Sequence, residues 1–529
     1  MAAREPMSSV DCAWLRMDDP TNLMMITGVL TFAEPLDYQR ILRTVDQRLL
    51  SYKRFRQRTT APEGLLDTPH WQLDPTFDLN YHVRRLSLPE PGTQNELQKL
   101  VSELMSVPLN PSRPLWQFHV IENFESGSAV IARLHHCIAD GIALMRVLLS
   151  LTDSTPEERM GSVQNRQRRR NPRGPFARSL RTARRAVSLT GTILHEGMET
   201  LRRPSRAVDI ARMSAGGIAR LGQILVRWPD PKTVFKGPLG VPKRAAWTQP
   251  IALTDVKAVG EVTGGTVNDV LLTAMAGALR RYLLHRGEAV DGLNFHAVVP
   301  VNLRPLDGPV DLGNKFGLVF LSLPIGIADQ VERLRELKRR MDELKRSPEA
   351  MALFGLLNIV GMGPIEIENI LLEIFGTKAT GVMTNVPGPR EQLYLAGSPL
   401  QDIMFWVPQS GRLGLGVSIM SYNGSVLMGV ATDAGLVPDP EVIISAFHEE
   451  FEEMTGLVQM VGAEGETERE DGTPSLQEAV AALAKATAAL ETQAPQVTRC
   501  QATTLAGNRC RNRARSGSRY CHVHQQKGE

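Results

Sequence analysis

The stretch Leu134-His135-His136-Cys137-Ile138-Ala139-Asp140-Gly141 decides how the rest of the chain is read. Before it, the apolar run Ala129-Val130-Ile131-Ala132 predicts a buried strand; after it, Ile142, Met145, Leu148 and Leu149 recur at helical spacing. The two histidines therefore fall where a strand ends and a helix begins, a place where rigid elements hold a side chain that can still point into a cleft. Imidazole is the side chain whose unperturbed pKa lets it take a proton near neutral pH. Asp140 is expected to be buried, to need an arginine or backbone donors around it, and so to brace the loop. Gly141 is expected to permit a tight backbone at the junction. The bland alternative is a pair of structural histidines beside a helix-capping aspartate. Four residues fixed at one spacing favour chemistry over that alternative. Neighbouring side chains of a strand face opposite ways, so one histidine, not both, should face a substrate.

Composition narrows the setting. A chain of 529 residues expects two or more domains, and 42% hydrophobic residues are enough for a real core. The net charge of +3 means that any basic partner surface must be local. Met1 to Val10 shows no apolar signal segment, and no run of about 18 apolar residues is present to span a bilayer. Five cysteines, three of them in the last thirty residues, do not form the disulfide framework of a secreted protein. A cytoplasmic protein is expected.

Taken in order, Met24–Phe32 reads as a strand, followed by a helix capped by Asp37 with Ile41, Leu42, Val45 and Leu49 on one face. Tyr81-His82-Val83 opens a short extended piece. Leu97, Leu100, Val101 and Leu104 mark a helix, and Gln117–Val120 a strand. Residues 1–156 form one α/β unit on this reading, and 157–243 a basic amphipathic linker. In the linker Arg166, Arg168, Arg169, Arg170, Arg181 and Arg185 crowd together with apolar residues between them. That pattern suits either a solvated face or attraction to anionic lipid headgroups; stacking aromatics for nucleic acid are absent from it. A second α/β unit is expected over 244–460, with Thr266 or Asn268 capping a helix, strands at Ala297–Arg304 and Gly381–Pro389, the latter with a Pro/Gly stop, an Asn423-Gly424 hairpin and a closing helix over Val442–Met454.

The opening stretch resembles the HHxxxDG motif of the CoA-dependent acyltransferases, a superfamily of chloramphenicol and carnitine acyltransferases, plant BAHD enzymes, peptide-synthetase condensation domains and bacterial wax ester synthase/diacylglycerol acyltransferases. Pro114-Leu115-Trp116, Asn268-Asp269, Val299-Pro300-Val301-Asn302-Leu303-Arg304, Gly313-Asn314 and Thr384-Asn385-Val386-Pro387-Gly388-Pro389 occur in the order seen in the last of these, over about residues 8–457. The glycine-rich BAHD signature is missing. The resemblance implies two chloramphenicol-acetyltransferase-like α/β lobes with a tunnel between them. It implies an O-acyltransferase that moves a long acyl chain from acyl-CoA to diacylglycerol or a fatty alcohol, with no metal or nucleotide cofactor and acyl-CoA as a substrate. His136 is then the general base, Asp140 the brace, with Arg304 as a charge partner. His135, Gly141, Asn268 and Asp269 support them, Asn268 by positioning the substrate or the oxyanion. The rival readings are a condensation-type or N-acyltransferase and a non-catalytic lipid-surface protein. Peripheral attachment to a membrane or lipid droplet through the basic linker is expected.

Beyond the lobes, 461–497 read as an acidic linker and a short helix, with Ser475 and Glu478 as a capping box. The tail, 498–529, holds Cys500, Cys510, Cys521 and His524, a ligand set suited to tetrahedral Zn²⁺. It resembles small Cys/Cys/Cys/His knuckles, and a bound metal would organise a segment almost without apolar core.

Overall fold

The computed structural model describes residues 4–61, 68–156, 229–302, 312–314, 316–346, 373, 376–409 and 413–467. The Arg166–Arg185 cluster, Arg304 and the cysteine-bearing tail lie outside the described residues.

The apolar run before the histidines becomes the strand Gly127–His135, with eight of its nine residues buried. It lies inside a seven-stranded sheet, antiparallel to Trp116–Phe124 on one side and to Met25–Phe32 on the other. A strand buried on both faces loses the polar/apolar alternation of a half-exposed one, which is why this one reads as a continuous apolar run. The same sheet takes in Ser398–Trp406, which runs antiparallel to Met25–Phe32 with Trp406 opposite Thr27. Sequence order would place that strand in the second lobe; the chain instead crosses back to complete the first sheet.

The second seven-stranded sheet is built on Gly381–Pro387, which runs parallel to both Phe295–Asn302 and Leu415–Tyr422. The hairpin Leu415–Tyr422/Ser425–Asp433 closes through Asn423 and Gly424, both at positive φ (46° and 82°), the conformation an Asn-Gly turn supplies. The helix Val267–His285 is capped by Thr266, whose hydroxyl accepts from the Asp269 N–H at 3.3 Å while the Asp269 carboxylate takes the Thr266 N–H at 2.9 Å. Asp269 thus has a structural task in the second lobe. Against this helix, Gly277 leaves room for the buried Arg333–Glu450 ion pair (2.6 Å), which a Cβ there would strike. Removing one partner of such a pair costs about 3–5 kcal/mol, because the other charge is left buried alone.

Two departures from the sequence reading have local causes. Leu79–His82 is a single helical turn capped by Asp78, and the extended segment starts only at Val83. The closing helix runs Pro440–Thr467, beyond Met454 and into the first residues of the stretch expected to be an acidic linker. Among the described residues no helix is long and apolar enough to cross a membrane.

Hydrogen bonds between the described residues join the two lobes in several places, two of which bear on the site. Ser102, on the helix Gln94–Met105, and Ser106, just after its end, accept the N–H groups of Ala245 (2.9 Å) and Lys243 (2.8 Å). The second place is the histidine loop.

Candidate active site

Strand Gly127–His135 ends at the first histidine, and the helix Gly141–Leu151 begins six residues on. Asp140 caps that helix, its Oδ1 accepting the Ala143 N–H at 2.9 Å. The turn between them is clamped from the second lobe. Gly313 donates its N–H to Ile138 O (3.1 Å) and accepts the Asp140 N–H (3.3 Å). Asn314 Nδ2 donates to His136 O at 2.8 Å and to Asp11 Oδ1 at 2.8 Å, and the Asn314 N–H reaches the same carboxylate at 3.2 Å. One amide side chain therefore ties together the N-terminal helix Ser9–Arg16, the histidine loop and the Gly313-Asn314 turn. Asp11 is buried, and burial raises its carboxyl pKa against the opposing pull of these hydrogen bonds.

The two histidines have different surroundings. His135 Nδ1 accepts the Cys137 N–H at 3.1 Å. In the neutral ring the proton must then sit on Nε2, which faces Asp18 Oδ1 at 3.5 Å. His136 is stacked on Trp14 (centroids 4.0 Å apart, planes at 22°), with Phe316 at 5.6 Å. Its Nδ1 is buried and has no hydrogen-bond partner among the described residues. Burial lowers the His136 pKa to about 4, and the nearby Asp140 charge opposes the shift. The ring is neutral around pH 7. Cys137 is fully buried, and burial pushes its thiol well above the ordinary range.

The residues expected to serve the site divide into two groups. His135, His136, Asp140 and Gly141 lie on one continuous turn. Asn268 and Asp269 begin a helix of the second lobe, where Asn268 Oδ1 accepts from Asn385 Nδ2, so two of the motif segments meet each other there. Thr266, not Asn268, caps that helix. Gly141 differs from expectation: its φ is not positive and an added Cβ would meet nothing within 4 Å, so the junction does not need glycine for its backbone. The missing side chain leaves open space among the described residues instead. Asp11, Trp14, Asp18 and Phe316 were not singled out from sequence. Asn314 was visible as part of a Gly-Asn motif, the one signal that pointed toward this cluster.

Residues 7–271 match the family described as wax ester synthase/diacylglycerol acyltransferase catalytic domain, and residues 312–455 match the WS/DGAT C-terminal domain. The Mycobacterium tuberculosis protein tgs1, named for diacylglycerol O-acyltransferase activity, is 28% identical over 446 residues, covering 82% of this chain and 92% of its own. The wax ester synthase/diacylglycerol acyltransferase from Marinobacter aquaeolei VT8 superposes with a TM-score of 0.60 at 23% identity, covering 86% of this chain and 100% of that one. The first condensation domain of the calcium-dependent antibiotic synthetase does so with a TM-score of 0.53 at 15% identity, covering 86% and 96%. At such identities these two likenesses concern the fold alone.

Proposed function

Since the chain belongs to the wax ester synthase/diacylglycerol acyltransferase family and is an acyl-CoA-dependent acyltransferase, we propose that it moves a long acyl chain from coenzyme A to the hydroxyl of diacylglycerol. A fatty alcohol is the second acceptor, and His136 is the general base. The name of tgs1 favours diacylglycerol as the first choice.

The contrast between the two histidines carries the assignment of the base. A base needs a free lone pair. His135 has committed its own to the Cys137 N–H, whereas His136 is held neutral by burial and its Nδ1 is unbonded. His136 takes the acceptor's hydroxyl proton as the oxygen attacks the thioester carbonyl carbon. The tetrahedral intermediate collapses with cleavage of the C–S bond, and the imidazolium returns the proton to the departing thiolate. Products are the ester and free coenzyme A, with no change in oxidation state and no acyl-enzyme. The raised thiol pKa of buried Cys137 argues against a cysteine nucleophile.

Asp140 acts in two ways in this reading: it fixes the helix start and favours the transient imidazolium by its charge. Arg304 is its charge partner, and Asn268 the amide that orients the substrate or the oxyanion. The substrates meet between the lobes, where Gly313 and Asn314 hold the histidine loop. The basic linker attaches the enzyme peripherally to an anionic membrane or lipid-droplet surface on the cytoplasmic side, and the tail binds structural zinc.

The deciding experiment supplies purified protein with palmitoyl-CoA and a panel of acceptors, and resolves intact neutral lipids. Triacylglycerol from diacylglycerol is the expected product, with wax ester from hexadecanol formed more slowly. Acylation of an amine acceptor with neither hydroxyl acceptor turned over would overturn the reading.

A further inference from the structure

His135 faces a hollow of its own. A cavity of about 300 Å³ is walled by Leu23, Met25, Leu109 and Leu115, with His135 and Asp18 as its polar lining. We propose that this hollow binds a hydroxyl-bearing lipid chain at a site separate from the reacting centre at His136.

The volume is at the lower end for small-molecule pockets, roughly 300–1,000 Å³, and the lining is mostly apolar with two convergent polar groups, the usual pattern of a site for a small amphiphile. The polar pair defines the head group. Cys137 N–H occupies His135 Nδ1, so Nε2 presents a hydrogen. That nitrogen belongs to a side chain only 3% exposed and has no hydrogen-bond partner among the described residues. Asp18 Oδ1, at 3.5 Å, is an acceptor held in place by the Met24 N–H at 2.7 Å. The ligand's head must therefore accept from a ring N–H and donate to a carboxylate oxygen next to it. A hydroxyl does both. A carboxylate would meet the Asp18 charge, an ester oxygen accepts without donating, and an ammonium donates without accepting. The apolar walls then take the hydrocarbon. Val107, 50% exposed, precedes Pro108, which lines the hollow, so apolar surface lies next to it in the chain.

Nothing in this argument uses His136, so the site can be tested apart from catalysis. Full-length His136→Ala protein is titrated calorimetrically with 1-decanol, methyl decanoate and decanoate. Decanol should bind about tenfold more tightly than either other probe, the factor expected for one hydrogen bond made or missed. Asp18→Asn should reduce the preference for decanol over methyl decanoate, and Leu109→Trp should fill the hollow and remove the one equivalent of decanol held there, leaving any bound at the acceptor site. Equal affinity for all three probes would overturn the proposal, because the hollow would then not distinguish a hydroxyl head. A decanol stoichiometry left unchanged by Leu109→Trp in a folded protein would also overturn it, by placing the alcohol elsewhere. If Leu109→Trp does not fold, the Asp18→Asn preference decides: an unchanged preference overturns the proposal.

Discussion

His136 combines two properties that pull against each other in a base. A ring with a pKa of about 4 is unprotonated and available around pH 7, yet it holds a proton weakly once it takes one. Asp140 offsets part of that weakness, since its charge favours the protonated ring. The acid limb of kcat/KM, which reports the free enzyme, should therefore lie near pH 4 and not near the ordinary 6.5 of histidine. Folding stability moves the same way. The His136 pKa is lower in the folded chain than in the unfolded one, so below about pH 6.5 the unfolded chain binds more protons. Stability is fullest above that pH and is lost as pH falls through about 4. Buried His119, also lowered to about 4, adds to the loss in the same direction. Rates from pH 4 to 8, each paired with circular dichroism, will separate the two effects; an acid limb at 6.5 in folded protein would contradict the burial argument. At fixed pH, His136→Ala should lose roughly 10²–10⁴-fold in rate, the range for a positioned base. Cys137→Ala should remain active. Full turnover by folded His136→Ala, measured with labelled acyl-CoA, would transfer the chemistry to another group.

Between elements, the joint that matters is Asn314, which donates at once to Asp11 on the N-terminal helix and to the backbone of the histidine loop. Removing the amide leaves the buried Asp11 carboxylate short of donors, a cost of about 1–3 kcal/mol. Asn314→Asp should destabilise more than Asn314→Ala at pH 7, because a second carboxylate then lies beside the first, and its deficit should shrink as pH falls and the pair shares a proton. Urea unfolding of both variants at pH 7 and pH 5 measures this; an Asn314→Asp protein as stable as the parent at pH 7 would refute it. This joint also marks where sequence reading stops. The strand before the histidines, the Asp37-capped helix and the Asn423-Gly424 turn were legible because each is set by residues a few positions apart. Asn314 meets partners 303 and 178 residues away, and such a bond leaves no trace in local pattern. No local pattern marks Trp14 or Asp11 as neighbours of the histidine loop. Ser398–Trp406 carries the apolar signal of a strand, and nothing in its composition says which sheet it completes.

At the scale of the molecule, the described lobes belong to one compact unit, Met1–Thr455, while residues 456–529 form another. Two functions are proposed for segments outside the described residues, and each is open to direct test. The arginine cluster should hold the enzyme at anionic surfaces: each basic residue near such a surface contributes on the order of 1 kcal/mol, and the attraction weakens with salt. Replacing Arg168, Arg169 and Arg170 with serine should lower sedimentation with phosphatidylserine vesicles, and equal binding of the parent to neutral and anionic vesicles would remove the electrostatic role. The tail poses a sharper question. Cys500, Cys510, Cys521 and His524 offer three thiolates and an imidazole, the set that encloses Zn²⁺ tetrahedrally with no position left for a substrate. A closed site organises its own segment and supplies nothing to acyl transfer, and the matched family domains end at residue 455. A chain ending at Gly456 should therefore keep its rate and contain no zinc, while the full chain, purified under reducing conditions, should contain one equivalent. Cys510→Ser should release that zinc without slowing transfer. Absence of zinc from the full chain would remove the metal site; a folded but inactive truncation would show instead that the tail reaches back to the chemistry.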